Sequence, residues 1–171
     1  MKAHFAMFAA YNKWANARLY AAAAAVSRDD YLADHGAFFH SLNGTLNHLV
    51  VTDRIWLRRM TGDGPVQTRL DEILTDDIAT LTELRQAEDD RMIAFIDRLG
   101  EAELAGNFTY QPISNPVDVT QPLGSALLHV FNHQTHHRGQ ATAILTRVGG
   151  RDACESLDLI VFQRATRMGL G

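Results

Sequence analysis

The sequence predicts an all-α protein, a four-helix bundle with a small β-hairpin in its last crossover and a short helix after it. Three observations carry this. Long stretches place apolar residues every three or four positions, Gly and Pro gather between those stretches, and one short segment switches to an alternating pattern. At 171 residues and 46% hydrophobic content the chain has enough apolar side chain for one core, so residues 1–171 are read as a single domain.

Residues 3–26 are rich in alanine, include Phe5, Phe8, Tyr11, Leu19 and Val26, and lack Gly and Pro, which predicts helix one. His40 to Met60 carries Leu42, Leu46, Leu49, Trp56, Leu57 and Met60 at helical spacing. Ser41 is its candidate cap, and Gly62 and Gly64 stop it. Thr75 to Leu99 repeats the pattern through Ile78, Leu81, Leu84, Met92, Phe95, Ile96 and Leu99 and closes at Gly100. Asn107 to Gln111 reads as a strand, Ser114-Asn115-Pro116 as a turn, and Val117 to Thr120 as the returning strand. Gln121 to Val148 is helical again and ends at Gly149-Gly150, and Leu157 to Met168 forms a short last helix.

The balance of charge narrows the function. Sixteen Lys and Arg against twenty Asp and Glu give a net charge of −4, with the basic residues scattered, which argues against a nucleic-acid partner. The single Cys154 cannot form an internal bridge and is read as a packing residue in a reducing compartment. Asn12, Lys13, Asn16 and Arg18 interrupt the apolar residues near the start, so no signal-peptide core forms. No long apolar run suggests a membrane span, and a cytoplasmic location is expected.

The strongest chemical signal is histidine. Of eight, four lie close together: His129, His133, His136 and His137. On a helix each residue turns about 100°, so all four share one side and several ligand pairs are open. The apolar stripe through Leu123, Leu127, Val130, Ala141, Ile144, Leu145 and Val148 places His133 and His137 inward and leaves His129 and His136 at its boundary. Two imidazoles at i and i+4 converge on one ion, although such a pair is often purely structural. A third ligand has to come from another helix, and His48 is the best candidate, although it lies beside its apolar stripe rather than at the centre. The His133-Gln134-Thr135-His136-His137 segment contains HxxxH but has Gln where a zinc metalloprotease needs its Glu base, so that class is excluded.

The sequence resembles the DinB family of damage-inducible helical proteins, also described as DinB/YfiT-like metalloenzymes. The resemblance is carried by Tyr11-Asn12-Lys13-Trp14-Ala15-Asn16, by Gly44-Thr45-Leu46-Asn47-His48-Leu49 with Asp53-Arg54-Ile55-Trp56, and most specifically by Asn132-His133-Gln134-Thr135-His136-His137-Arg138-Gly139-Gln140. Leu157-Asp158-Leu159-Ile160 is similar to the family's closing segment. The resemblance implies an up-down-down-up bundle holding a divalent ion, zinc or nickel foremost, through one His of helix two and two of helix four. Those positions map onto His48, His133 and His137.

Three neutral imidazoles bring no charge, so a bound ion keeps its positive charge and an open position. It can activate water or bind a thiolate. The resemblance implies either a thiol transferase, passing glutathione, bacillithiol or mycothiol to small electrophiles, or a metal-dependent hydrolase. The lack of an acidic residue between Asn132 and Gln140 tilts the reading toward thiol transfer. A non-enzymatic metal-binding or dimerising module is the competing class, and a homodimer is a family-level expectation. A fourth protein ligand, from His40, His129 or His136, would favour a structural ion. Asp53 lies in the apolar stripe of helix two and needs a partner. Either it orients a ligand imidazole or, by the preferred reading, it bonds to helix one. Arg138 and Gln140 are placed to orient substrate, with a structural ion pair favoured for Arg138. Trp14 and Asn16 are assigned no catalytic role.

Overall fold

A computed structural model describes residues 1–170. The described residues are mostly helical, with seven helices and one two-stranded antiparallel hairpin. In chain order these are α1 Lys2–Ala24, α2 Arg28–Leu32, α3 Leu42–Thr61, α4 Ile78–Arg98, α5 Glu101–Ala105, β1 Asn107–Tyr110, β2 Val119–Pro122, α6 Leu123–Gly149 and α7 Leu159–Thr166. All four expected long helices, the hairpin and the last helix are present. The short α2 and α5 were not expected, because a single helical turn leaves too little periodicity to read.

The ends of α3 follow local chemistry. His40 has φ 62, which takes it out of the helix, so α3 begins two residues later than the pattern suggested. The Ser41 hydroxyl accepts the Gly44 N–H at 2.9 Å, and Gly62 closes the helix at φ 76. Asp77 caps α4 by accepting the Thr80 N–H at 2.8 Å, so α4 also starts later than Thr75. It ends at Arg98, and Gly100 opens α5 instead of closing α4, its N–H bound by the Glu103 carboxylate at 2.6 Å. In the hairpin Thr109 faces Thr120, their hydroxyls 2.7 Å apart. The returning strand lies two residues beyond the expected Val117–Thr120, because the turn segment stays irregular through Asp118.

The long helices pack in pairs whose directions the side chains record. Lys2 of α1 reaches the Asp97 carbonyl while Asn12 and Asn16 reach Asp89, so α1 and α4 run antiparallel. His48 meets His133 while Trp56 meets His129, so α3 and α6 also run antiparallel. Phe5 and Phe8 stack on Phe131, and Asn12 meets Arg138, so α1 and α6 run parallel.

Two large apolar clusters occupy the interior, beside a smaller third one of Met7, Tyr11, Ala15 and Phe162. One gathers Phe5, Trp56, Met92, Ile96, Leu127 and Phe131, and the other Leu19, Leu42, Leu46, Leu81, Ala141 and Leu145. Between them lies a layer of buried polar groups: Asn12, Asn16, Asp53, Arg85, Asp89, Gln134 and Arg138. Arg85 donates to Asp53 at 2.6 Å and pairs with Asp89 at 3.2 Å, while Gln134 donates to the other Asp53 oxygen at 2.6 Å. Charge is tolerated there because it is paired and hydrogen-bonded. No helix among the described residues is long and apolar enough to cross a membrane.

Candidate metal centre

Every residue of α3 from Leu42 to Asp53 is buried, including His48, which faces α6. On α6 the i, i+4 spacing brings His133 and His137 to the same face. One nitrogen from each of His48, His133 and His137 lies within 4.8 Å of the others, and no other His, Cys, Asp or Glu among the described residues joins the group. The Nε2 atoms of His48 and His133 are 3.4 Å apart, and those of His137 and His133 are 3.1 Å apart.

The outer nitrogens orient the rings. His48 Nδ1 donates to the Leu70 carbonyl at 2.7 Å, and His137 Nδ1 donates to Gln140 Oε1 at 2.8 Å. Both acceptors require N–H on Nδ1, so in the neutral ring each Nε2 carries a lone pair facing His133. Neutral rings are favoured: burial, reinforced by neighbouring imidazoles, lowers the pKa of His48 to about 4 and of His133 to about 3. His137 is shifted the same way, chiefly by burial.

Converging lone pairs in a partly buried space repel unless a proton or cation lies between them. Zinc bound tetrahedrally at about 2.0–2.1 Å from each nitrogen needs nitrogens roughly 3.3 Å apart, close to the two spacings present here. The donor set therefore fits a divalent ion.

Several residues build this site in ways the sequence reading did not assign to them. Asn47, fully buried, accepts the Leu74 N–H at 2.8 Å and donates to the Thr75 carbonyl at 3.1 Å, pinning the segment after α3 so that Leu70 meets His48. Phe39 stacks on His48 with centroids 3.8 Å apart and meets His137 edge-on at 5.5 Å. Gln134 donates to the Leu49 carbonyl at 3.0 Å as well as to Asp53, fastening α6 to α3 one residue after His133. Gln140 was legible as a neighbour three residues from His137. A backbone carbonyl such as that of Leu70 leaves no mark in a sequence.

The remaining expectations divide. His129 and His136 are exposed, as their boundary positions implied, and do not join the group. His40 is also exposed and contacts Asp34 at 3.1 Å. Asp53 bonds neither to helix one nor to a ligand imidazole. Its partners are Arg85 and Gln134, and burial raises its pKa to about 6 despite the Arg85 charge. Arg138 makes no ion pair among the described residues. It donates to Asn12, to Asn16 and, at 3.1 Å, to the Thr135 hydroxyl, with its guanidinium 5.2 Å from the centre of the Tyr11 ring. Gln140 holds the His137 ring through its Oε1. Trp14 packs edge-on against Phe162, in keeping with a structural role.

This constellation spans the same stretches of chain that carry the resemblance noted above. A family model described as DinB family matches residues 1–164. The chain belongs to the DinB family. It is also 24% identical over 168 residues to Protein DinB of Bacillus subtilis (strain 168), covering 91% of this chain and 92% of that protein. The family match takes in α1 through most of α7, so in this DinB-family protein it covers every element that contributes to the histidine cluster.

Proposed function

We propose that His48, His133 and His137 bind one divalent ion, zinc or nickel, and that the protein is a thiol S-transferase acting on small electrophiles. The supporting observation is the convergence of three Nε2 atoms, two of them fixed as lone-pair donors by Leu70 and Gln140. In this reading α1, α3, α4 and α6 form an up-down-down-up four-helix bundle with the ion held between α3 and α6. The antiparallel and parallel pairings of those helices support it.

A divalent ion held by three neutral imidazoles supplies a Lewis acid that lowers the pKa of a coordinated thiol or water. The chain's own contribution is to hold three rings neutral and oriented and to present a partly apolar wall through Phe39. Transfer over hydrolysis is favoured because the nearby buried carboxylate, Asp53, is committed to Arg85 and Gln134 and so is not placed to serve as a base for water. In transfer the thiol releases its proton to solvent, sulfur forms the new S–C bond, and the leaving group departs with the electrons of the bond it breaks.

The test is chloride release from 1-chloro-2,4-dinitrobenzene with glutathione, bacillithiol or mycothiol, using metal-loaded and chelated protein. Turnover that requires metal and is lost in His133→Ala is expected. Turnover unchanged by chelation, or none with any of these thiols, contradicts the transferase reading.

A further inference from the structure

Beside the histidine cluster, on the hairpin side, lies a second feature that the metal chemistry does not use. Contacts lead outward from the cluster. His133 and His129 have ring centroids 5.7 Å apart, His129 and Trp56 lie 5.0 Å apart, and the Arg59 guanidinium sits over Trp56 at 4.7 Å. Tyr110 of β1 lies 4.8 Å from the same guanidinium, so the two aromatic rings hold the cation in place.

Arg59 lines a cavity of about 300 Å³ together with Arg58, Gln67, Thr109, Gln111 and Ile113. None of the cavity's lining residues is acidic. Neither arginine pairs with a carboxylate among the described residues. Arg59 gives one hydrogen bond, to the Gln111 carbonyl at 3.2 Å, and Arg58 gives one, to the Gly64 carbonyl at 2.8 Å. A guanidinium has five N–H donors, so most of those on Arg59 remain to be used. Gln67 adds an independent observation: its Oε1 is buried without a hydrogen-bond partner. A buried acceptor without a donor is costly and is satisfied by an incoming N–H.

We propose that this cavity is an anion subsite that takes the terminal carboxylate of a small peptide-like thiol, with Arg59 as the specificity-determining cation and Gln67 accepting an amide N–H. Its assignment to the thiol substrate rests on the transferase reading. The chemistry is complementary: two unpaired cations for a carboxylate and an unsatisfied carbonyl oxygen for an amide. The contact path from Arg59 through Trp56 and His129 to His133 is three steps of 4.7, 5.0 and 5.7 Å, which places the cavity on the approach to the histidines.

The experiment is calorimetric titration of N-acetyl-S-methylcysteinylglycine and its C-terminal amide, which differ in one charge and cannot react. At low salt the acid is expected to bind at least about tenfold more tightly than the amide, the effect of one charge-assisted hydrogen-bonding site. Arg59→Gln removes that preference, Arg59→Lys keeps part of it, and Gln67→Glu, which introduces a negative charge, abolishes it even if Arg59→Gln proves unstable. Equal binding of acid and amide by the unaltered protein, or a preference that survives Arg59→Gln, overturns the proposal. Repeating the titration on His133→Ala separates the two ideas. A preference kept there while the unaltered, metal-loaded protein shows no thiol turnover upholds the anion subsite and sinks the transferase reading, whereas metal-dependent turnover by the unaltered protein without any acid preference does the reverse.

Discussion

Gln140 and Leu70 show how much of the histidine cluster depends on groups that never touch an ion. By holding Nδ1 of His137 and His48, they decide which nitrogen carries the lone pair. Gln140→Leu is therefore expected to weaken metal affinity by about 10- to 100-fold without unfolding the protein, as read by competition with a chromophoric chelator. The pH dependence follows from the lowered pKa of His133. The unfolded chain takes up its proton near pH 6.5 and the folded chain only near pH 3, so between these values the unfolded state binds more protons. Stability contributed by the neutral ring is complete above pH 6.5 and is lost as pH falls toward 3. Metal-free protein should therefore lose melting temperature relative to His133→Leu as the buffer goes from pH 7 to pH 4. A constant difference would show that His133 is not held neutral. At this scale the sequence revealed which histidines face inward and left Asp53 misassigned, because a helical wheel gives a direction but not the partner waiting there.

The elements matter through the way their ends aim the site. Gly44, in the first turn of α3, lies so close to the preceding loop that an added Cβ would stand 2.2 Å from the Phe39 carbonyl oxygen. Backbone cannot yield there as a flexible side chain would. Gly44→Ala is expected to push the Phe39 segment off His48, costing about 1–3 kcal/mol in urea denaturation and weakening metal binding at the same time. Ser41→Ala removes the α3 cap and should cost about 1 kcal/mol in the same measurement, with little effect on the ion. The long helices were legible because each presents several turns of periodic apolar residues, and so were the glycine stops of α3 and α6, whereas Gly100 was misread as the stop of α4. Helix starts were displaced where a cap chose between nearby polar residues, as at Asp77. The β2 register slipped because Val117 and Asp118 alternate like a strand without pairing as one.

Across the whole molecule, the polar layer between the two apolar clusters ties all four long helices together at the level of the histidines. Asp53 sits at its centre. Asp53→Ala leaves the buried Arg85 with Asp89 as its one carboxylate partner and Gln134 with the Leu49 carbonyl as its one acceptor, and is expected to destabilise the protein by about 3–5 kcal/mol in chemical denaturation. That layer was hardly readable from the sequence, since Arg85 and Asp89 on α4 resemble the solvated face of any amphipathic helix until α1 covers them. The most direct measurement is the metal content of tag-free protein by elemental mass spectrometry, alongside His48→Ala, His133→Ala, His137→Ala and His136→Ala. About one ion per chain in the unaltered protein and in His136→Ala, and none in the other three while they remain folded, is the result expected of a three-histidine centre. Stoichiometric metal persisting in any of those three, or no metal in the unaltered protein after loading with zinc or nickel, would contradict it.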